Sequence, residues 1–231
     1  MTIQFSVSFN DPGSTYAPYY SSISSNVLAA AQRWAEYFIS DAAVEISILF
    51  DNANGSGRAA ALSATTAFVG VQNGLDTYQQ GVAHEIITGT DPNGAAPDLE
   101  IHIDPGYLAN ELWFDPTPRD RSAVGPGDRT DAVSVMEHEI GHALAFNGWR
   151  DWSTGQLPGN FQSVFDSFVV RSNGVSFFTG ANAVIAYGGS VPLTMANLYH
   201  LGNNAPNPGS DLVSGVLMNG VVFDRGFLYE I

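Results

Sequence analysis

Val133-Ser134-Val135-Met136-Glu137-His138-Glu139-Ile140-Gly141-His142-Ala143-Leu144-Ala145-Phe146 decides the reading of this chain. Val133, Met136, Ile140, Ala143 and Leu144 recur at helical spacing and define an apolar stripe. The spacing predicts a helix over Asp131 to Asn147, with Thr130 or Asp131 as its cap and Asn147-Gly148 as a left-handed end. His138-Glu139-Ile140-Gly141-His142 has the form H-E-x-x-H. On a helix, positions i and i+4 share a face one turn apart, so two imidazoles can approach one Zn²⁺ from the same side. Glu139, beside the first histidine, can reach a water at that metal without being a ligand, which is the arrangement of a zinc hydrolase. The bland alternative is an ordinary amphipathic helix carrying two surface histidines.

Outward from this helix the chain alternates strand and helix signals. Ile3, Phe5, Val7 and Phe9 alternate with polar residues, as do Val44, Ile46, Ile48 and Phe50. Between them lies a helical stretch capped by Ser24 or Ser25 and running to about Ile39. Ala59 to Ala67 leads into a third strand at Phe68 to Val71. Leu99, Ile101 and Ile103 form one face of a further strand, with Glu100, His102 and Asp104 on the other. After Gly148 the sequence turns to loops, short strands and many glycines, with one short helical candidate at Phe161 to Phe168. The expectation is an α+β fold: a twisted mixed sheet, an active-site helix and a loop-rich C-terminal lobe. The chain reads as a single catalytic domain, 1–231, with an N-terminal lobe of about 1–148 and a C-terminal lobe of about 149–231.

Composition narrows the function. The 231 residues carry 23 acidic and 8 basic side chains, net charge −15, and every basic residue is arginine. Such a surface argues against nucleic acid and against anionic membranes. No apolar run is long enough for a transmembrane helix, so no membrane insertion is expected. There is no cysteine, which leaves histidine and carboxylate as zinc ligands and removes disulfides from consideration. Met1 to Phe9 lacks a basic n-region and does not read as a signal peptide. The acidic, cysteine-free composition points to an exported, extracellular protein whose leader is removed or whose export signal lies elsewhere.

A catalytic zinc usually has three protein ligands and an open position. The H-E-x-x-H-x-x-G-x-x-H continuation would place a third histidine at 148, but Gly148 stands there, and Ala145 occupies the glycine position. His200, in Asn197-Leu198-Tyr199-His200-Leu201-Gly202, is the leading candidate for the third ligand; Asp166 is its rival. His84 and His102 precede the helix, and His102 is expected to line a surface or cleft. Ca²⁺ is a second candidate cofactor, through Asp91, Asn93 and Asp98 around Gly94 or through Asp51, Asn52 and Asn54. Neither loop has EF-hand spacing, and such residues often only make turns.

Four stretches resemble bacterial metzincin-like zinc metalloproteases of the matrixin- and serralysin-related kind. Gly94 to Ile103 is similar to their substrate-binding edge strand, and Asp131 to Phe146 to their active-site helix. Gly180 to Ala183, Tyr187 to Gly189 and Leu198 to Gly202 resemble exported bacterial proteins with a displaced third histidine. Asp211 to Gly220 is similar to the Met-turn, with Met218 as an apolar floor beneath the metal. The resemblance implies a zinc metalloendopeptidase acting on a protein or peptide substrate. Its metal would be held by His138, His142 and His200, with Glu139 as general base and Leu99, Ile101 and Ile103 on the substrate strand. Tyr199 and Tyr229 are candidates to assist the oxyanion. The end at Ile231 is expected to mark a fragment or processed product. An exported adhesin-like module without catalysis and a self-processing domain are the competing functions. The sequence is silent on oligomeric state.

Overall fold

The computed structural model describes residues 2–202, 216–220, 223–229 and 231. Its elements run β1 (Gln4–Asn10), α1 (Tyr20–Ala35), β2 (Ala43–Phe50), β3 (Ala59–Ser63), β4 (Thr66–Gln72), β5 (Leu75–Gln80) and α2 (Gly81–Thr88). They continue with β6 (Leu99–Ile103), α3 (Pro105–Asn110), β7 (Leu112–Trp113), β8 (Thr130–Asp131) and α4 (Ala132–Leu144). The remainder is β9 (Phe161–Ser163), α5 (Val164–Ser167), β10 (Val169–Ser172), β11 (Val175–Phe178), α6 (Ala181–Tyr187) and β12 (Val191–Pro192). The fold class is mixed α+β.

The chain divides into two compact units whose bounds differ from the expected lobes. One comprises Met1–Thr66, Gly81–Leu144 and Phe223–Ile231; the other comprises Ala67–Gln80 and Ala145–Val222. The β4–β5 hairpin thus leaves the N-terminal lobe, and the C-terminal tail leaves the other. The change of composition after Gly148 lies four residues beyond the division at Leu144, and these two exchanges depend on long-range pairing.

In the first unit a four-stranded sheet has the order β1-β2-β6-β3. β1, β2 and β6 are parallel, while β3 runs antiparallel to β6. Parallel neighbours need a long crossover, which α1 supplies between β1 and β2. Ile46, Ile48, Leu99, Ile101 and Ile103 of the sheet, Ile23, Val27 and Ala30 of α1, and Val133, Met136 and Ile140 of α4 are all buried, and α4 packs on α1, β3 and β6. Each buried Val, Leu, Ile or Met side chain among them contributes about 1.5–3 kcal/mol by leaving water. All five residues of the expected stripe on α4 are buried.

Two local expectations are corrected. α1 begins at Tyr20, ahead of Ser24, because a short 3₁₀ turn at Ala17–Tyr19 with Pro18 starts the coil earlier. It ends at Ala35, and Ile39 lies exposed beyond it. α2 had no clear periodic signal. Its first residue, Gly81, is pressed against Thr65, where a Cβ would lie 2.4 Å from the threonine methyl and 2.9 Å from its carbonyl oxygen.

The second unit contains the sheets β4-β5-β9 and β10-β11-β12. Phe165, Val169, Leu193 and Tyr199 form its buried cluster, joined by Phe146, Phe178 and Leu201. The expected helix at Phe161 to Phe168 divides into β9 and the four-residue α5, whose start is fixed by a reciprocal Ser163–Asp166 capping box. No helix among the described residues is long and apolar enough to cross a membrane.

Candidate metal centre

α4 is set into the first unit by polar contacts at both faces. Asp131 caps it, accepting the Ser134 N–H at 2.6 Å. The same carboxylate takes a two-pronged bond from Arg121, Nη1 to Oδ1 at 2.9 Å and Nη2 to Oδ2 at 2.8 Å. On the α1 side, Arg33 pairs with buried Glu137 at 2.7 Å, and the Trp34 indole donates to the Glu137 carbonyl at 2.8 Å. These contacts fix the rotation of α4 just before His138.

The histidine pair then converges. The Nε2 atoms of His138 and His142 stand 3.0 Å apart. Two imidazoles on one tetrahedral zinc, with Zn–N near 2.0–2.1 Å, place their nitrogens about 3.4 Å apart. The observed spacing fits a shared cation with a small opening of the rings. The two side chains can hold a metal ion; in its absence one ring N–H can donate to the other. Phe223 stands edge-on to His138 with centroids 5.3 Å apart and stacks on Tyr229 at 4.3 Å. The tail carrying both is anchored to α4: the Tyr229 N–H donates to Ser134 Oγ at 2.8 Å, and the Ser134 hydroxyl donates to the Tyr229 carbonyl at 3.1 Å.

Glu139 is buried beside the pair. Burial pushes its carboxyl up to about 8, and the backbone N–H of Ala61 on β3 pulls the other way. A bound dication would oppose the burial and favour the carboxylate. The general base expected from sequence is therefore desolvated and held by the sheet's end strand.

β6 is a correction. It lies between β2 and β3, so its backbone is paired on both sides, and Leu99, Ile101 and Ile103 are core residues at 1%, 0% and 0% exposure. These residues cannot form the substrate-binding edge. β3 is the end strand, and its Ala61 touches Glu139. The alternation at Leu99 to Ile103 gave the strand but not its neighbours.

His102 is not a surface residue: it is 8% exposed and bonds Asp51 at 2.8 Å. Burial raises the Asp51 carboxyl, but His102 and the Ala53 N–H outweigh it and hold it below its ordinary value. Asp51 and Asn52 thus serve local bonds, with Asn52 capping a 3₁₀ turn.

In the second unit Asp166 is fully buried and accepts the Trp149 and Ser163 N–H groups at 2.9 and 3.1 Å, with Arg150 at 3.7 Å. It is the capping anion of its own turn. That role also explains Gly148: a Cβ there would stand 2.4–2.6 Å from the Asp166 carboxylate. The glycine that replaces the compact third histidine is a close-packing residue and not a left-handed helix end. His200 lies in a turn, its N–H donating to the Asn197 carbonyl at 3.2 Å and its own carbonyl accepting from Thr194 at 3.0 Å. Tyr199 donates to the Arg150 carbonyl at 3.3 Å, while the Tyr229 hydroxyl accepts the Asp224 N–H at 3.2 Å. Met218 is buried, and its carbonyl accepts from Leu201 at 2.7 Å. Residues 211–215 of the expected Met-turn stretch lie outside those described.

Phe223, Ala61 and Ser134 are the positioning residues that sequence reasoning missed. Nothing in the local pattern marks them, because each acts through a distant strand or tail. Comparison with known protein families, curated proteins and solved structures finds no match.

Proposed function

We propose that this chain is a zinc-dependent metalloendopeptidase of metzincin-like type, acting on protein or peptide substrates outside the cell. The convergence of the two Nε2 atoms on α4 beside a buried glutamate carries the reading. His138 and His142 hold the metal, and His200 is the third ligand of the proposed set. The donors are neutral nitrogens, which suits zinc over calcium or magnesium. Bound zinc supplies Lewis acidity and brings the pKa of a water toward neutrality.

The protein's own groups do the rest. Glu139 accepts a proton from the attacking water and later delivers it to the leaving amine. Its desolvated position strengthens the base and excludes bulk water from the transfer. Ala61 holds that carboxylate at the end strand β3, whose outer edge suits an extended peptide paired by main-chain hydrogen bonds. Such pairing tolerates many side chains, in keeping with an endopeptidase. The acidic, lysine-free composition is consistent with export.

The test is hydrolysis of casein before and after chelation, followed by zinc readdition. Activity should vanish with chelation and return with about one zinc per chain. Full activity in metal-stripped protein would refute the proposal.

A further inference from the structure

A second cluster of titratable groups lies in the first unit, apart from the histidine pair. Glu85 comes from the C-terminal half of α2, Asp91 from the following turn and Asp98 from the residue before β6. Each offers a carboxylate oxygen, and these oxygens lie within 4.8 Å of one another. Glu45 on β2 joins them: its N–H donates to Asp98 Oδ2 at 2.8 Å, and its carboxyl is raised by burial and by Asp98.

Among the described residues, no arginine or histidine forms an ion pair with Glu45, Glu85, Asp91 or Asp98. Glu85 is 4% exposed and Asp98 is 0% exposed. Glu85 Oε2 and Asp98 Oδ1 are buried without a hydrogen-bond partner. An unpaired buried carboxylate oxygen is costly, and two facing one another are costlier. Burial, the charge of Asp98, a carboxyl–carboxylate hydrogen bond with Asp98 and the charge of Asp91 together push Glu85 up to about 7, against a backbone hydrogen bond from Ala43. Asp91 is exposed, so the cluster has an open side. Its Oδ1 is engaged by the N–H groups of Asn93 and Gly94.

We propose that Glu85, Asp91 and Asp98 bind a hard divalent cation of the calcium class, with water completing the shell on the Asp91 side. Oxygen-only donors and several carboxylates match calcium, which takes six to eight oxygens in adaptable geometry. The ion would join α2, the turn at Asp91 and the start of β6, neutralising the buried charges that otherwise repel. The inference is independent of the hydrolytic reading, since it uses other residues and another donor chemistry.

The test is calcium titration into zinc-replenished, calcium-depleted protein, with melting followed by scanning calorimetry. At hundredfold excess over the dissociation constant the melting point should rise by roughly 5–10 °C. Glu85→Gln and Asp91→Asn should each weaken that response at least tenfold in calcium concentration. Asp91→Asn keeps the acceptor for the turn, so it reports even if Glu85→Gln does not fold. No shift in the unaltered protein, or an undiminished shift in Asp91→Asn, overturns the assignment.

Discussion

Asp131 and Asp98 are both buried aspartates beside the core of the first unit, yet their surroundings are opposite. Asp131 faces a guanidinium and a helix N–H, and every contact favours its charge. Asp98 faces other carboxylates, and its Oδ2 accepts the Glu45 N–H at 2.8 Å. The difference separates two ways of fixing an element. At α4 the protein supplies its own cation; at the β2–β6 margin it presents only anions and leaves the balancing charge to the medium.

The comparison breaks most visibly at Arg121. Arg121→Met strips buried Asp131 of its cation and should destabilise the fold by about 3–5 kcal/mol, read as a lower midpoint in urea. A loss below about 1 kcal/mol would show that the pair is a surface-like contact. Removing charge from the other region should act in the opposite sense. The Glu85 carboxyl is raised from 4.5 to about 7. Its protonated form therefore contributes stability that is complete below about pH 4.5 and is lost as pH rises through about 7. In calcium-free buffer, Glu85→Gln should thus flatten the decline in melting point between pH 5 and 8, by a few degrees. Parallel profiles for the variant and the unaltered protein would mean that the carboxylates do not interact.

The same contrast explains what could be read from the sequence. The His138 helix, β1, β2 and β6 were legible because their apolar residues repeat with periods of 3.6 or 2, a local property. His138, Glu139 and His142 came with the helix, since four-residue spacing alone puts the rings on one face. Acidic residues at 91 and 98 stood out as a turn, but Glu85 did not, because a glutamate in a short helix carries no periodic mark. The central position of β6 was hidden for a similar reason: alternation tells which side chains are buried, not which strands lie alongside. Gly148 was misread as a helix end because its constraint is the Asp166 carboxylate, eighteen residues away in the chain. Ala61 and Phe223 reach the site only through tertiary contact.

The role of Glu139 is tested most directly by Glu139→Ala, assayed for zinc content and casein hydrolysis on the same preparation. The expected result is a folded protein with zinc near one equivalent and hydrolysis lowered by about 10²–10⁴-fold. Zinc retained with hydrolysis undiminished would contradict it.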